Sequence, residues 1–124
     1  MTEEGTLFAF TCIVREEDTA IRQGSGALPV LATPRLVALM ENAAMRLVAE
    51  DLAEDETTVG GKIEVVHLRP SAVGARIETH ARLEKVEGRK LTFSVCAFDG
   101  PQIIGEGTHV RFIVNCEKFM SVFH

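Results

Sequence analysis

Thr33, Glu41 and His67 are polar residues that lie in otherwise apolar stretches of the chain. Together they supply a hydroxyl, a carboxylate and an imidazole, the groups that acyl transfer uses as nucleophile, base and proton relay. Each also has a structural interpretation, as a helix cap, a helix-edge carboxylate and a buried or interface histidine. The combination of the three favours acyl-transfer chemistry.

Two of these residues lie on one predicted amphipathic helix. Thr33 suits the N-cap and Pro34 the first helical position, where an N–H has no partner in any case. The helix is predicted to end near Asp51, and its apolar positions follow three-and-four spacing: Leu36, Val37, Met40, Ala43, Ala44, Leu47 and Val48. Glu41 lies at the edge of this stripe, where a carboxylate is costly unless it has a use. The N–H groups of the first turn could bind an oxyanion or a thioester carbonyl.

The composition favours a globular domain and argues against several other classes of protein. The 124 residues are predicted to form one domain, residues 1–124, with a single core. A net charge of −5 disfavours nucleic-acid binding. No apolar run approaches the ~20 residues of a membrane helix, and the N-terminus lacks the features of a signal peptide. Three widely spaced cysteines without a C-x-x-C motif favour a reducing, cytoplasmic location over disulfides or a zinc site.

The remaining elements are predicted to be strands. One precedes the helix, at residues 7–14, and four follow it, at residues 62–69, 75–86, 89–98 and 102–115. In the last strand, Val110, Phe112 and Val114 share one face. A sheet of consecutive antiparallel strands can bury its apolar face together with that of the helix by curling around it. The sequence therefore predicts an α+β hotdog fold, a curved antiparallel sheet wrapped around one long central helix.

The other candidate motifs carry less chemistry. Gly105-Glu106-Gly107 lies inside a predicted strand and opens no helix, so it is not a dinucleotide-binding loop. His80 and His109 have no metal-ligand spacing and are predicted to lie on polar faces. We therefore expect neither a metal nor another cofactor. The connection from Arg15 to Leu31 is long enough to be a lid or a binding loop.

The chain resembles the fluoroacetyl-CoA thioesterase-like family of the hotdog superfamily over roughly residues 28 to 119. Five motifs carry the resemblance, in order: Ala32-Thr33-Pro34, Glu41-Asn42-Ala43-Ala44, Thr58-Val59-Gly60, Val66-His67-Leu68 and Gly105-Glu106-Gly107-Thr108-His109-Val110-Arg111-Phe112. The resemblance implies an acyl-CoA thioesterase in which Thr33, Glu41 and His67 are catalytic. It also implies that Gly60 offers a backbone contact near the acyl group and that Arg111 helps to hold the CoA or the site.

The family resemblance also bears on assembly and specificity. If the helix begins at Pro34, Thr33 and Glu41 are about 12 Å apart along its axis and cannot touch. Either the first turn is not helical, or the site closes across a homodimer interface, as is usual for hotdog active sites; we favour the second. The fluoroacetyl-specific enzyme is similar except for a phenylalanine-bearing lid, whereas residues 23–31 contain no phenylalanine.

Two alternatives remain at this point. One is a non-catalytic acyl-CoA-binding protein on the same fold, which would be expected to lack one of the three polar groups. The other is a hotdog hydratase, whose usual aspartate and histidine motif is not visible. The presence of all three polar groups favours the hydrolase.

Overall fold

One long helix packs into a five-stranded antiparallel sheet in the computed structural model, which describes residues 1–123. The elements in chain order are β1 (Leu7–Ile13), α1 (Ala20–Gln23), α2 (Thr33–Val48), β2 (Glu56–His67), β3 (Arg76–Glu87), β4 (Lys90–Asp99), β5 (Gln102–Asn115) and α3 (Cys116–Met120). The strands lie in the order β1-β3-β4-β5-β2, so β1 and β2 are the two edges. This curved sheet around a central helix confirms the predicted hotdog fold.

The core lies between α2 and the concave face of the sheet. Alternate residues of β3 and β4 are buried against the helix: Ile77, Thr79, Ala81, Leu83, Leu91, Phe93, Val95 and Ala97. The helix contributes its own apolar stripe: Leu36, Leu39, Met40, Ala43, Ala44 and Val48. Full burial of one such large apolar side chain stabilises the fold by about 1.5–3 kcal/mol. The helix is therefore held rigidly, and so are the polar groups at its edge.

The helix begins one residue earlier than predicted, which changes the interpretation of Thr33. Ala32 is the N-cap residue and no side chain caps the helix. The prediction that Thr33 is the N-cap residue is wrong, because Thr33 is the first helical residue of α2. Its hydroxyl is consequently available for a contact outside the helix. At the other end α2 stops at Val48, and a single 3₁₀ turn continues to Asp51.

Strand β2 is longer at its start than predicted. It begins at Glu56 rather than Lys62 and ends at His67 rather than Arg69. A bulge at Gly60 and Gly61 lets β2 keep its pairing with β5 on both sides, so the strand continues through both glycines. This bulge places Gly60 beside the helix.

Strand β5 turns a different face to the core from the one its apolar residues suggest. His109 and Arg111 are only 1% and 6% exposed, whereas Phe112 is 39% exposed on the outer face. The prediction that His109 lies on a polar face is therefore wrong. Burial of two polar side chains is tolerated because they bond to each other and to their neighbours.

The two glycines of Gly105-Glu106-Gly107 allow close packing on both sides of β5. A Cβ at residue 105 would lie 2.8 Å from Leu36 Cδ2 on α2. A Cβ at residue 107 would overlap the carbonyl oxygen of Glu64. The motif thus permits close approach of helix, β5 and β2, and it lies inside a strand rather than in a turn that opens a helix.

The long connection before α2 is partly structured. It contains a 3₁₀ turn, Glu16–Asp18, and the short helix α1, whose N-cap Thr19 accepts a hydrogen bond from the Arg22 N–H. Isolated bridges join Thr19 to Leu31 and Val30 to Ala72. The loop is therefore anchored at its base, next to the start of α2. No helix within residues 1–123 is long and apolar enough to cross a membrane.

Candidate active site

Thr33 and His67 form a direct hydrogen bond. Thr33 Oγ1, in the first turn of α2, lies 2.7 Å from His67 Nδ1, at the end of β2. The pair lies in a cleft of about 270 Å³ lined by Ala20, Ser25, Val30, Leu31, Thr33, His67, Leu68, Arg69 and Pro70. Sequence reasoning named both residues, and the tertiary structure places the hydroxyl and the imidazole in contact.

His67 is suited to accept a proton. Partial burial lowers the pKa of its imidazole, although the nearby backbone of Arg69 opposes the shift. A histidine with a lowered pKa is neutral at physiological pH and can act as a base or relay. Its Nε2 atom is buried without a hydrogen-bond partner among residues 1–123. The second ring nitrogen therefore has unused hydrogen-bonding capacity.

Glu41 belongs to a second polar cluster, further along the same helix. Its Oε2 lies 3.9 Å from Nη1 of Arg111 on β5, and its side chain is 40% exposed. It borders a cavity of about 220 Å³ lined by Glu41, Gly60, Gly61, Lys62, Ile63 and His109. A half-exposed carboxylate next to a buried cation can act on a molecule that enters this cavity.

Gly60 leaves room for the Glu41 carboxylate. A Cβ at residue 60 would lie 2.9 Å from Glu41 Oε2 and 3.5 Å from Arg111 Nη1. Any side chain at this position would push the carboxylate away from its present place. The absence of a side chain also exposes the Gly60 backbone to the cavity, in the manner that the family resemblance implies.

Arg111 is a buried cation that is held by several acceptors. Its Nε donates to Thr58 Oγ1 at 2.8 Å, and its Nη2 donates to the Thr58 carbonyl at 2.9 Å. Its Nη1 lies 3.2 Å from His109 Nε2. Burial lowers the pKa of Arg111, and the charge of Glu41 opposes that shift. The guanidinium is thus fixed in a plane that presents Nη1 towards Glu41.

The partners of His109 determine its tautomer. Its Nδ1 lies 2.7 Å from the carbonyl oxygen of Lys62, which can only accept, so Nδ1 carries the proton. Its Nε2 is then the acceptor for the Arg111 N–H. Burial lowers the pKa of His109, and the nearby Arg111 lowers it further, against the Lys62 hydrogen bond and Glu41. His109 is a neutral imidazole at physiological pH.

The structure separates the predicted residues into two groups. Thr33 lies with His67, while Gly60 and Arg111 lie with Glu41. The two groups are about 12 Å apart along α2, because eight residues of regular helix separate Thr33 from Glu41. Since the N-terminus of α2 lies at the C-terminus of β2, helix and strand run in opposite directions past each other. Both groups consequently border the same edge strand.

Sequence reasoning missed Thr58 and His109. Strand alternation could have found His109, because it lies two residues before Arg111 and therefore shares its face. Thr58 is 4% exposed and contacts Arg111 only through the β2–β5 pairing, which no local pattern predicts. Residues 1–123 contain no group of three or more His, Cys, Asp or Glu side chains placed to hold a metal ion.

Acidification is expected to destabilise the protein through the partly buried His67 and the buried His109. The lowered pKa values of His67 and His109 mean that the unfolded chain binds protons more tightly than the folded chain. The free energy of unfolding should therefore fall as the pH falls through the ordinary histidine pKa of about 6.5. The check is the melting temperature at about pH 7.5 and pH 5.5, on either side of that value, for the wild type and for His109→Gln. An equal decrease in both proteins would contradict a contribution from His109.

Comparison with known proteins then identifies the family. The model of the family described as fluoroacetyl-CoA-specific thioesterase, FlK, matches residues 14–117. The chain belongs to this family. A fluoroacetyl-CoA thioesterase from Streptantibioticus cattleyicolor is 41% identical over 90 residues, which cover 73% of this chain and 65% of that protein. The match thus spans slightly less than two thirds of this relative's length.

Solved structures of FlK and of a thioesterase superfamily member have the same fold along nearly the whole chain. A mutant of the fluoroacetyl-CoA-specific thioesterase FlK superposes with a TM-score of 0.94 at 33% identity, over 98% of this chain and 95% of that one. A FlK mutant in complex with fluoroacetate and CoA gives 0.90 at 34% identity, over 95% and 99%. A Thermus thermophilus thioesterase superfamily member gives 0.89 at 30% identity, over 98% and 90%. These matches confirm the family resemblance and the hotdog fold.

Proposed function

We propose that this FlK-family protein is an acyl-CoA thioesterase, which hydrolyses a thioester to a carboxylic acid and free CoA. The main support is the 2.7 Å contact between Thr33 and His67 at the start of the central helix, in a chain that also holds Glu41 beside Arg111. These are the polar groups that thioester hydrolysis needs, and the first-turn N–H groups of α2 supply donors for a carbonyl oxygen. The reaction needs no metal or redox cofactor.

Glu41 is the proposed base or nucleophile. As a base, it takes a proton from water while the water oxygen attacks the thioester carbon, and the C–S bond breaks as the CoA thiolate leaves and takes up a proton. As a nucleophile, its oxygen displaces the thiolate, and water then hydrolyses the resulting anhydride and restores the carboxylate. His67 relays a proton or orients the attacking group. Thr33 positions or polarises the acyl group, while Gly60 and Arg111 bind the substrate near Glu41.

We infer that the working form is a homodimer joined along β2 rather than along the last strand, β5, which lies between β4 and β2 and has no free edge. This strand is a sheet edge with no neighbour beyond it in residues 1–123, and Val66 on it is 60% exposed. Antiparallel self-pairing about a twofold axis between Ile63 and Glu64 would place Gly60 opposite the partner's His67. Glu41 of one chain would then lie near Thr33 and His67 of the partner subunit. Such an arrangement removes the ~12 Å separation that exists within one chain.

The dimer predicts complementation between two inactive variants. Light scattering at micromolar concentration should give the mass of two chains. Co-expressed Glu41→Gln and His67→Ala chains should form mixed dimers that keep one intact site, so activity should return to about a quarter of the wild-type rate. Each variant alone is the control. A monomer by light scattering, or a mixture as inactive as its components, would show that the site is not shared.

A panel of acyl-CoA substrates tests the activity itself. Release of free CoA is measured with a thiol reagent on short, long, branched and aromatic acyl-CoAs, and hydrolysis of at least one is expected. Saturable binding of acyl-CoA without CoA release would instead support a non-catalytic acyl-CoA-binding protein.

The three cysteines are free in the described structure, which supports the reducing, cytoplasmic setting proposed for the enzyme.

The anchored loop before α2 predicts weak selectivity for fluoroacetyl-CoA. Ser25, Val30 and Leu31 from this loop line the Thr33–His67 cleft, and residues 23–31 contain no phenylalanine. A pocket that discriminates by size and apolar contact gains only about 1–3 kcal/mol per methylene group. We expect graded hydrolysis of several acyl-CoAs, judged by kcat/KM for fluoroacetyl-CoA and acetyl-CoA. A fluoroacetyl preference above about 10³-fold would contradict this explanation.

A further inference from the structure

His109 is a buried titratable residue that is hydrogen-bonded to Arg111, whose guanidinium lies next to the proposed base. It is 1% exposed, and its ring stands between the β2 bulge at Lys62 and the guanidinium of Arg111. A neutral histidine whose two ring nitrogens are both hydrogen-bonded restricts the groups around it, because one nitrogen can only donate and the other can only accept. The arrangement is therefore more specific than apolar packing in the core would require.

Arg111 needs such a constraint because its charge is buried without a close carboxylate. The nearest carboxylate oxygen, on Glu41, lies at 3.9 Å, which is beyond a hydrogen bond. A buried guanidinium is stable only when its N–H groups find acceptors. Thr58 supplies two acceptors and His109 Nε2 supplies the third. The Thr58 bonds hold Nε and Nη2, so His109 alone among these partners holds Nη1, the nitrogen next to Glu41.

We propose that His109 is a positioning residue, which fixes Nη1 of Arg111 so that the guanidinium holds the Glu41 carboxylate against Gly60. The inference rests on the proposed function, since it assigns a role to His109 through the base of that reaction. Loss of the acceptor at Nε2 would leave an N–H of Nη1 unpaired, so that the whole planar guanidinium could shift and draw the carboxylate away from the cavity. Catalysis would fall, while substrate binding elsewhere in the site would change little.

Two amide variants separate the two hydrogen bonds of His109. In His109→Gln the terminal amide oxygen reaches the position of Nε2 and can still accept from Arg111. In His109→Asn the amide nitrogen reaches the position of Nδ1 and can still donate to the Lys62 carbonyl, but Arg111 loses its acceptor. Each variant loses one hydrogen bond and the ring, so a purely structural role predicts similar loss of stability and activity in both.

The expected result is a difference between the two variants in kcat. On the best acyl-CoA substrate, His109→Asn should lower kcat by about tenfold or more, a larger factor than any rise in KM, and His109→Gln should stay within a few-fold of the wild type. In a Glu41→Gln background, His109→Asn should cause little further loss, because both changes act on one carboxylate. Equal kcat losses in the Gln and Asn variants, or additive losses with Glu41→Gln, would overturn the proposal.

Nitrogen-15 NMR of the same proteins gives a readout that does not depend on activity. Wild-type His109 should be the Nδ1–H tautomer at neutral pH, and the Arg111 side-chain N–H signals should be sharp in the wild type and in His109→Gln but broadened in His109→Asn. An Nε2–H tautomer, or equally sharp Arg111 signals in all three proteins, would overturn the inference. If the wild type hydrolyses no acyl-CoA while these signals behave as expected, the proposed function fails and the hold of His109 on Arg111 stands.

Discussion

Glu41→Gln is expected to lower kcat for acyl-CoA hydrolysis by about 10²-fold or more, the effect of removing a positioned base or nucleophile. The amide keeps the size of the carboxylate but can neither take a proton from water nor form an anhydride. Its half-exposed position next to Arg111 means that the substitution opens no cavity, so the fold should survive. Steady-state kinetics on the best substrate of the panel measure kcat, and a melting curve measures the stability of the fold.

Two further variants make the Glu41 prediction specific. Glu50→Gln is the matched control, because it makes the same carboxylate-to-amide change at an exposed residue just beyond the end of the same helix. This variant should retain wild-type activity. Gly60→Ala tests the position of the carboxylate, because the new Cβ would lie 2.9 Å from Glu41 Oε2 and would displace it. A Glu41→Gln enzyme that turns over as fast as the wild type would remove Glu41 from the mechanism.

His67→Ala is expected to lower kcat by about 10²-fold or more as well, since it removes the imidazole that we propose as the proton relay. Thr33 Oγ1 would lose its partner at 2.7 Å, so the hydroxyl would no longer be oriented. Because burial lowers the pKa of His67, the wild-type rate should stay level as the pH falls to about 6.5 and decline only below it. His80→Ala, on the outer face of β3, is the matched control.

Thr33 variants show whether the contact with His67 matters for the reaction. Thr33→Ser keeps the hydroxyl and should retain most of the activity, whereas the nearly isosteric Thr33→Val should lose a large part of it. The effects of Thr33→Val and His67→Ala should be far from additive, because the two side chains touch and act as one unit. Independent, additive losses would mean that the two residues contribute separately. Full activity in both single variants would exclude the pair from catalysis.

Much of the fold was determined by local patterns in the sequence. The three-and-four spacing of apolar residues predicted α2, and two-residue alternation predicted β3 and β4 nearly to their ends. Such patterns are informative because the spacing of apolar residues within one element indicates its type and its buried face. The residue types at Thr33, Glu41 and His67 likewise indicated acyl transfer before any contact was known.

The tertiary structure alone decided which polar groups meet. Pairing of β2 with β5 brought Thr58 to Arg111 and turned His109 into the core, although the apolar residues of β5 suggested the opposite face. The same pairing carried β2 through the Gly60–Gly61 bulge, although the sequence predicted that this strand starts only at Lys62. Strand register and helix docking are set by contacts between residues far apart in the chain. For that reason the sequence indicated the chemistry and the separation of Thr33 from Glu41, and only the fold paired Thr33 with His67 and Glu41 with Arg111.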